Sequence, residues 1–270
     1  MKKVLSIAGS DCSGGAGIQA DIKTFSAHGV FGMTVIASVV AENTFRVIEF
    51  QDIRPDIIEK QIDAVFEDIP PDAVKIGMLS CQAGMLAVAK KLKEWKPVNV
   101  VLDPVMYAKN GCALMDPDSI DTLIAEVVPL ADLITPNIPE AEKIAGMSIT
   151  TLADMEWAAR LMCDMGCRAV LIKGGHRTGS DATDVLFDGE RIHHFTAVRI
   201  DTKNTHGTGC TYSSAIASNL ALGLPLDRAV TQAKEYVTTA IAHSLPFGKG
   251  NGPTHHFYQL YQEGLREKHS

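Results

Sequence analysis

The chain is defined first by what it lacks. Its 270 residues carry a net charge of −7, and nowhere do Lys and Arg gather into a basic stripe, which argues against a nucleic-acid groove. No apolar run approaches the length of a membrane span, and the short apolar stretch 4–8 is broken by Gly9-Ser10-Asp11 before it reaches signal-peptide length. Six cysteines, at 12, 81, 112, 163, 167 and 210, show neither a disulfide framework nor paired metal-ligand spacing. They read as reduced, small buried residues of a cytoplasmic protein. There is no internal repeat and no low-complexity linker. A phosphate-binding P-loop is also missing, because Lys and Ser/Thr do not follow Gly14 at the required places. The G-x-G-x-x-G dinucleotide pattern fails too, because position 11 is Asp.

What is present is a soluble α/β pattern, 46% hydrophobic and 21% charged. Apolar strands are expected at 2–8, 33–40, 47–50, 74–78, 98–102, 133–134 and 169–172. Helices are expected at 18–28, 56–66, 84–95, 116–127, 140–145, 152–165, 211–222 and 226–243, with Asp116 and Pro117 capping the fourth. A hairpin joins 185–187 to 192–195 through Asp188-Gly189. This alternation predicts a three-layer fold: a mostly parallel sheet with helices on both faces, in one domain over 1–270. A small appended β element is expected around 31–50.

The stretch Asn204-Thr205-His206-Gly207-Thr208-Gly209-Cys210-Thr211 organises the rest. Glycines where a loop becomes a helix present backbone N–H groups to one point, backed by the helix dipole. That is either an anion site or a tight capped turn. Gly9 to Gly17, with four glycines, forms a second ligand loop at a strand's carboxyl edge, flanked by Asp11 and Asp21. Each of these acids either touches substrate or caps a turn. Asn137 and Glu140, three apart at a helix start, either hold Mg²⁺ or form an N-cap. Lys173, at a strand end, either neutralises phosphate or is solvated. Lys234 reads as solvated, and His193 and His194 as surface residues. His206 either bonds a backbone group of the loop or takes part in catalysis. Anion cradle, acidic helix start and lysine together suit phosphoryl transfer, which needs positioning and charge neutralisation.

These motifs resemble the ribokinase superfamily, and within it the hydroxymethylpyrimidine/phosphomethylpyrimidine kinases of thiamine biosynthesis. The matching stretches are Ile7 to Asp11 with Gly14 to Asp21, Glu42-Asn43-Thr44, Lys75 to Met78, Asp103 to Met106, Thr135 to Asn137 with Glu140, Lys173 to His176, Asn204 to Thr211, and Gly248 to His256. The resemblance covers nearly the whole chain. It implies a kinase that uses ATP and Mg²⁺ to phosphorylate 4-amino-5-hydroxymethyl-2-methylpyrimidine and then its monophosphate. It implies a pyrimidine pocket of Glu42, Met78 and Val105, joined by Gly9, Asp11 and Asp21 of the first loop. It also implies Mg²⁺ and phosphate at Asn137 and Glu140, nucleotide near Lys173, Lys234 and Thr208, and an anion hole at Gly207, Thr208, Gly209 and Cys210. A homodimer is implied by resemblance alone.

Three positions depart from the family pattern. Glu42 stands where Gln is usual, and Cys112 where Asp is expected. Cys210 replaces the Asp base of the sugar kinases, as is usual in the pyrimidine kinases. A thiol among helix-start N–H groups is expected to ionise readily and to accept the substrate's proton. Two rivals remain: a pyridoxal/pyridoxine kinase on the same fold, and a catalytically silent pyrimidine-binding protein.

Overall fold

The computed structural model describes residues 1–108, 111–116, 118–176 and 181–267. The chain begins with β1 (Lys3–Asp11), α1 (Gly17–Ala27), β2 (Phe31–Asn43), β3 (Arg46–Asp52), α2 (Pro55–Asp68), β4 (Ala73–Ile76), α3 (Gln82–Trp95) and β5 (Val100–Leu102). Next come α4 (Ser119–Thr122), β6 (Leu133–Ile134), α5 (Ile138–Ala145), α6 (Leu152–Cys163) and β7 (Val170–Ile172). The last part holds β8 (Asp181–Phe187), β9 (Ile192–Val198), α7 (Thr208–Ala221), α8 (Leu226–Ala242) and α9 (Tyr258–Glu267).

All these strands join one sheet in the order β3-β2-β1-β4-β5-β6-β7-β8-β9. β2, β1, β4, β5, β6 and β7 run parallel, while β3, β8 and β9 pair antiparallel at the two edges. Alternation along each strand sends its side chains to opposite layers. Leu5 and Ile7 face one core with Ile58, Ile62, Met85 and Met155 of α2, α3 and α6. Val4 faces the other with Phe25, Ala215, Ile216 and Val230 of α1, α7 and α8. The strand order reverses at β1, between β2 and β4, and such a switch opens a crevice at the carboxyl edge.

Several boundaries differ from expectation. Residues 31–50 extend the main sheet: β2 pairs with β1 along its length, and β3 closes that edge. The helix expected over 116–127 is a single α-turn at Ser119–Thr122 that widens into a π turn, Leu123–Val127, before Pro129. The Pro117 part of its cap lies outside the described residues. The hairpin is longer at both ends, and α7 begins at Thr208 because Gly209 is already helical. No helix among the described residues is long and apolar enough to cross a membrane.

Candidate active site

At its carboxyl end β1 runs into the first glycine loop, with a register shift against β2 between Ala8 and Gly9. Asp11 is buried there. Its Oδ1 accepts from the Ser13 N–H at 2.7 Å. Its Oδ2 accepts from Gly15 and Ala16 N–H groups at 2.9 and 2.7 Å, and stands 2.9 Å from His206 Nε2. Burial opposes the charge, but the His206, Ser13 and Ala16 bonds outweigh it and hold the carboxyl at about 2. The loop closes on Gly17, with φ +55°, where a Cβ would overlap the Gly9 carbonyl.

The anchor stretch meets this loop directly. Gly207 caps α7 in the left-handed region, φ +77°, and a Cβ there would overlap the Gly15 carbonyl. First-turn N–H groups, including those of Gly209 and Cys210, have no intrahelical partner, and both residues line the cavity. A Cβ at Gly209 would lie 3.3 Å from Asp103 Oδ2 and 3.4 Å from Lys173 Nζ. Those two groups, at the ends of β5 and β7, form an ion pair of 2.7 Å. Burial works against the Lys173 ammonium, yet Asp103 and Glu140 raise it above the usual lysine range.

Asn137 and Glu140 form a reciprocal capping box at the start of α5. Asn137 N–H donates to Glu140 Oε2 at 2.8 Å, and Glu140 N–H donates to Asn137 Oδ1 at 3.0 Å. Of the two readings of this pair, the N-cap is the one these hydrogen bonds show. Burial, then the charge of Asp103, push the Glu140 carboxyl up to about 7, against the pull of Lys173 and the Asn137 and Met106 N–H groups.

On the other side of the cavity, Val40, Met78 and Leu114 form a small apolar cluster with Val105 against it. Glu42 faces this corner. Burial, then the Asp11 charge, raise its carboxyl to about 7, with His206 opposing. Ligand atoms of Asp11, Glu42 and His206 lie within 4.8 Å of one another, a spacing that suits a cation. Asp11, however, already receives four donors, which fills its acceptor capacity.

Gly9, Asp11, Glu42, Met78, Val105, Asn137, Glu140, Lys173, Lys234 and Gly207 to Cys210 thus line one cavity of about 600 Å³. Asp21 does not. Wholly buried, it takes Lys75 Nζ at 3.0 and 2.9 Å, Ser6 Oγ at 2.6 Å and Ser214 Oγ at 2.7 Å. It is a structural counter-charge beneath α7, not a cavity residue. Lys234 is not solvated: its Nζ reaches Asp184 at 2.7 Å and the Ala182 carbonyl at 3.1 Å. The Cys210 thiol is also corrected. It accepts from the Gly17 N–H, but desolvation, together with the charges of Asp21 and Asp103, pushes it up to about 11 despite Lys75. It is a neutral thiol, where the helix start alone suggested a thiolate. Cys12 and Cys112 are exposed, against the expectation of burial. His193 and His194, on β9, pair with Asp188 of the hairpin turn and Glu156 of α6, and neither lines the cavity.

Sequence reading assigned no role to Asp103 or Asp184. Asp184 accepts from Gly174 N–H, Tyr212 Oη and Lys234 Nζ, and so joins the strand-end glycine turn to α7 and α8. A carboxylate directly after a parallel strand, as in Asp103-Pro104, was the available signal. Asp184, inside a hairpin strand, gave none.

Comparisons with known proteins find a matching family and several relatives. The family described as Phosphomethylpyrimidine kinase matches residues 11–255. A hydroxymethylpyrimidine/phosphomethylpyrimidine kinase of Rhizobium meliloti is 48% identical over 96% of this chain and 98% of its own. A thiamine biosynthesis bifunctional protein of Geobacter sulfurreducens is 47% identical over 98% of this chain, which spans 54% of that longer protein. The crystal structure of an ADP complex of Bacillus subtilis pyridoxal kinase is 40% identical, with a TM-score of 0.89 over 96% of this chain and 99% of that one.

Proposed function

Because the chain belongs to the phosphomethylpyrimidine kinase family, we propose that its cavity phosphorylates 4-amino-5-hydroxymethyl-2-methylpyrimidine and then the monophosphate, with ATP as donor. The observation that carries this reading is the convergence of an apolar corner with one carboxyl, an N–H cradle, and the Asp103–Lys173–Glu140 cluster in a single cavity. Glu42 takes the aminopyrimidine edge, and Met78 and Val105 take its ring faces. The N–H groups of Gly209 and Cys210, with Lys173, neutralise the transferred phosphoryl oxygens. Lys234, steadied by Asp184, lies on the nucleotide side.

The donors fit Mg²⁺. Glu140, Asp103 and the Asn137 amide are hard oxygens, and Asp103 already raises the Glu140 carboxyl, a crowding that a dication relieves. Glu140 and Asn137 would hold the ion, which supplies charge neutralisation at the phosphates when bound. A homodimer in the cytoplasm belongs to the same reading.

ATP consumption with hydroxymethylpyrimidine, pyridoxal and ribose tests it. Turnover with the pyrimidine above the other two is expected. Pyridoxal is the competitor to include, given the likeness to the pyridoxal kinase structure. Binding without turnover would indicate a silent binder.

Glu42 gives a sharper expectation. An aminopyrimidine edge presents an N–H donor beside a ring-nitrogen acceptor. A protonated carboxyl matches both, a carboxylate only the donor. With the Glu42 carboxyl at about 7, the matching form is present below that pH and lost as pH rises through it. Glu42→Gln, whose amide matches at every pH, therefore binds the pyrimidine about as well at pH 6. At pH 8.5 it gains about tenfold, or 1.4 kcal/mol. Calorimetry at the two pH values reads the difference. A tenfold loss at neutral pH would mean that the charge itself is wanted.

A further inference from the structure

His206 has no part in the reading above, yet three pieces of the cavity wall meet on it. Its ring lies against the first glycine loop, where Nε2 faces Asp11 Oδ2 at 2.9 Å. Asp11 is held ionised and can only accept, so Nε2 carries the hydrogen. The ring fills the gap between the loops: a Cβ on Gly15 would overlap His206 Cδ2, and one on Gly207 would overlap the Gly15 carbonyl. The His206 backbone is fixed as firmly. Its N–H donates to the Gly252 carbonyl, and its own carbonyl accepts from the Thr254 N–H. That strap, between α8 and α9, continues to the β2–β3 turn, where Asn251 and Gly250 N–H groups donate to the Thr44 carbonyl and hydroxyl.

Glu42 ends β2 beside that turn, Asp11 ends β1, and the anion cradle follows His206 in sequence. One imidazole and one strap therefore set the substrate wall against the phosphate wall. We propose that His206 is a positioning residue for phosphoryl transfer, holding the anion loop at a fixed separation from the substrate loop through Asp11. The proposal rests on the kinase reading for its catalytic consequence, and on the Asp11–His206 geometry for the tie itself.

Three proteins test it: wild type, His206→Ala and His206→Gln, whose amide N–H reaches about as far as Nε2. Steady-state kinetics are measured with hydroxymethylpyrimidine, and amide hydrogen exchange at Gly15 and Ala16. His206→Ala is expected to lower kcat about 100-fold, as misplacement of about 1 Å does, while the pyrimidine KM stays within about threefold. His206→Gln is expected to recover about tenfold of that loss. Exchange at Gly15 and Ala16 should quicken in the alanine variant and slow again in the glutamine one. A kcat within threefold of wild type in His206→Ala would overturn the proposal, as would a folded His206→Gln no better than His206→Ala. A KM that rises as far as kcat falls would make His206 a binding residue instead. If wild type leaves the pyrimidine untouched, the kinase reading fails; the exchange arm still decides the tie, which unchanged protection in His206→Ala would refute.

Discussion

Glu140→Ala abolishes phosphoryl transfer, lowering kcat by a factor on the order of 10³, while the pyrimidine still binds. Glu140 stands with Asp103 and Lys173 on the phosphate side, whereas the apolar corner is built from Val40, Met78 and Leu114. The alanine variant also breaks the capping box, worth about 1 kcal/mol of stability. Glu140→Gln separates the two effects, because a glutamine at this position still caps. It should melt close to wild type and yet transfer almost as poorly as the alanine variant. Pyrimidine affinity by calorimetry and turnover by coupled assay are the two measurements. Loss of both in equal proportion would place Glu140 in the pyrimidine pocket and sink the assignment.

Cys210→Asp loses the second phosphorylation and keeps part of the first. In the second step the nucleophile is a phosphate that is already charged and needs no base. A carboxylate at about 5 Å, at an effective dielectric near 20, repels a unit charge by roughly 3 kcal/mol, about two powers of ten in rate. Asp21 and Asp103 already crowd the same spot with negative charge. The neutral thiol suits this step. For the first step, magnitudes limit what the thiol does. At pH 7 a group titrating at about 11 is ionised in about one molecule in 10⁴, which offsets the usual 10²–10⁴ gain of a general base. Cys210→Ala should therefore lower alcohol phosphorylation by no more than about tenfold at pH 7, and the second step less. The two steps, timed separately in both variants, give the answer. If both substitutions slow both steps by one factor, Cys210 is packing alone and the charge argument is wrong.

The sequence carried the layer order and the strand-end loops plainly, because glycines and acids punctuate the carboxyl ends of β1, β5 and β7. The outliers share one cause. Asp21, four residues into α1, looks the same in sequence whether it faces cavity or core, and its partners Ser6, Lys75 and Ser214 come from three other elements. Lys234 read as solvated because Asp184 is fifty residues away. The Cys210 thiol looked acidic from its place on the helix; the desolvation and carboxylates that reverse this come from the assembled fold. Local signals fixed each group's element, and only tertiary neighbours fixed what surrounds it.

The contact between Gly15 and Gly207 also bears on how the protein is made. The residues on its two sides are far apart in the chain, and such contacts close late, since the loop between them must first be ordered. On the ribosome, β1 and its loop emerge long before α7. Until that helix docks, Asp11 lacks its imidazole and Asp21 lacks the Ser214 hydroxyl. A nascent chain can thus hold most of its sheet and still have no phosphate cradle, so activity should appear only after the last quarter of the chain has been translated.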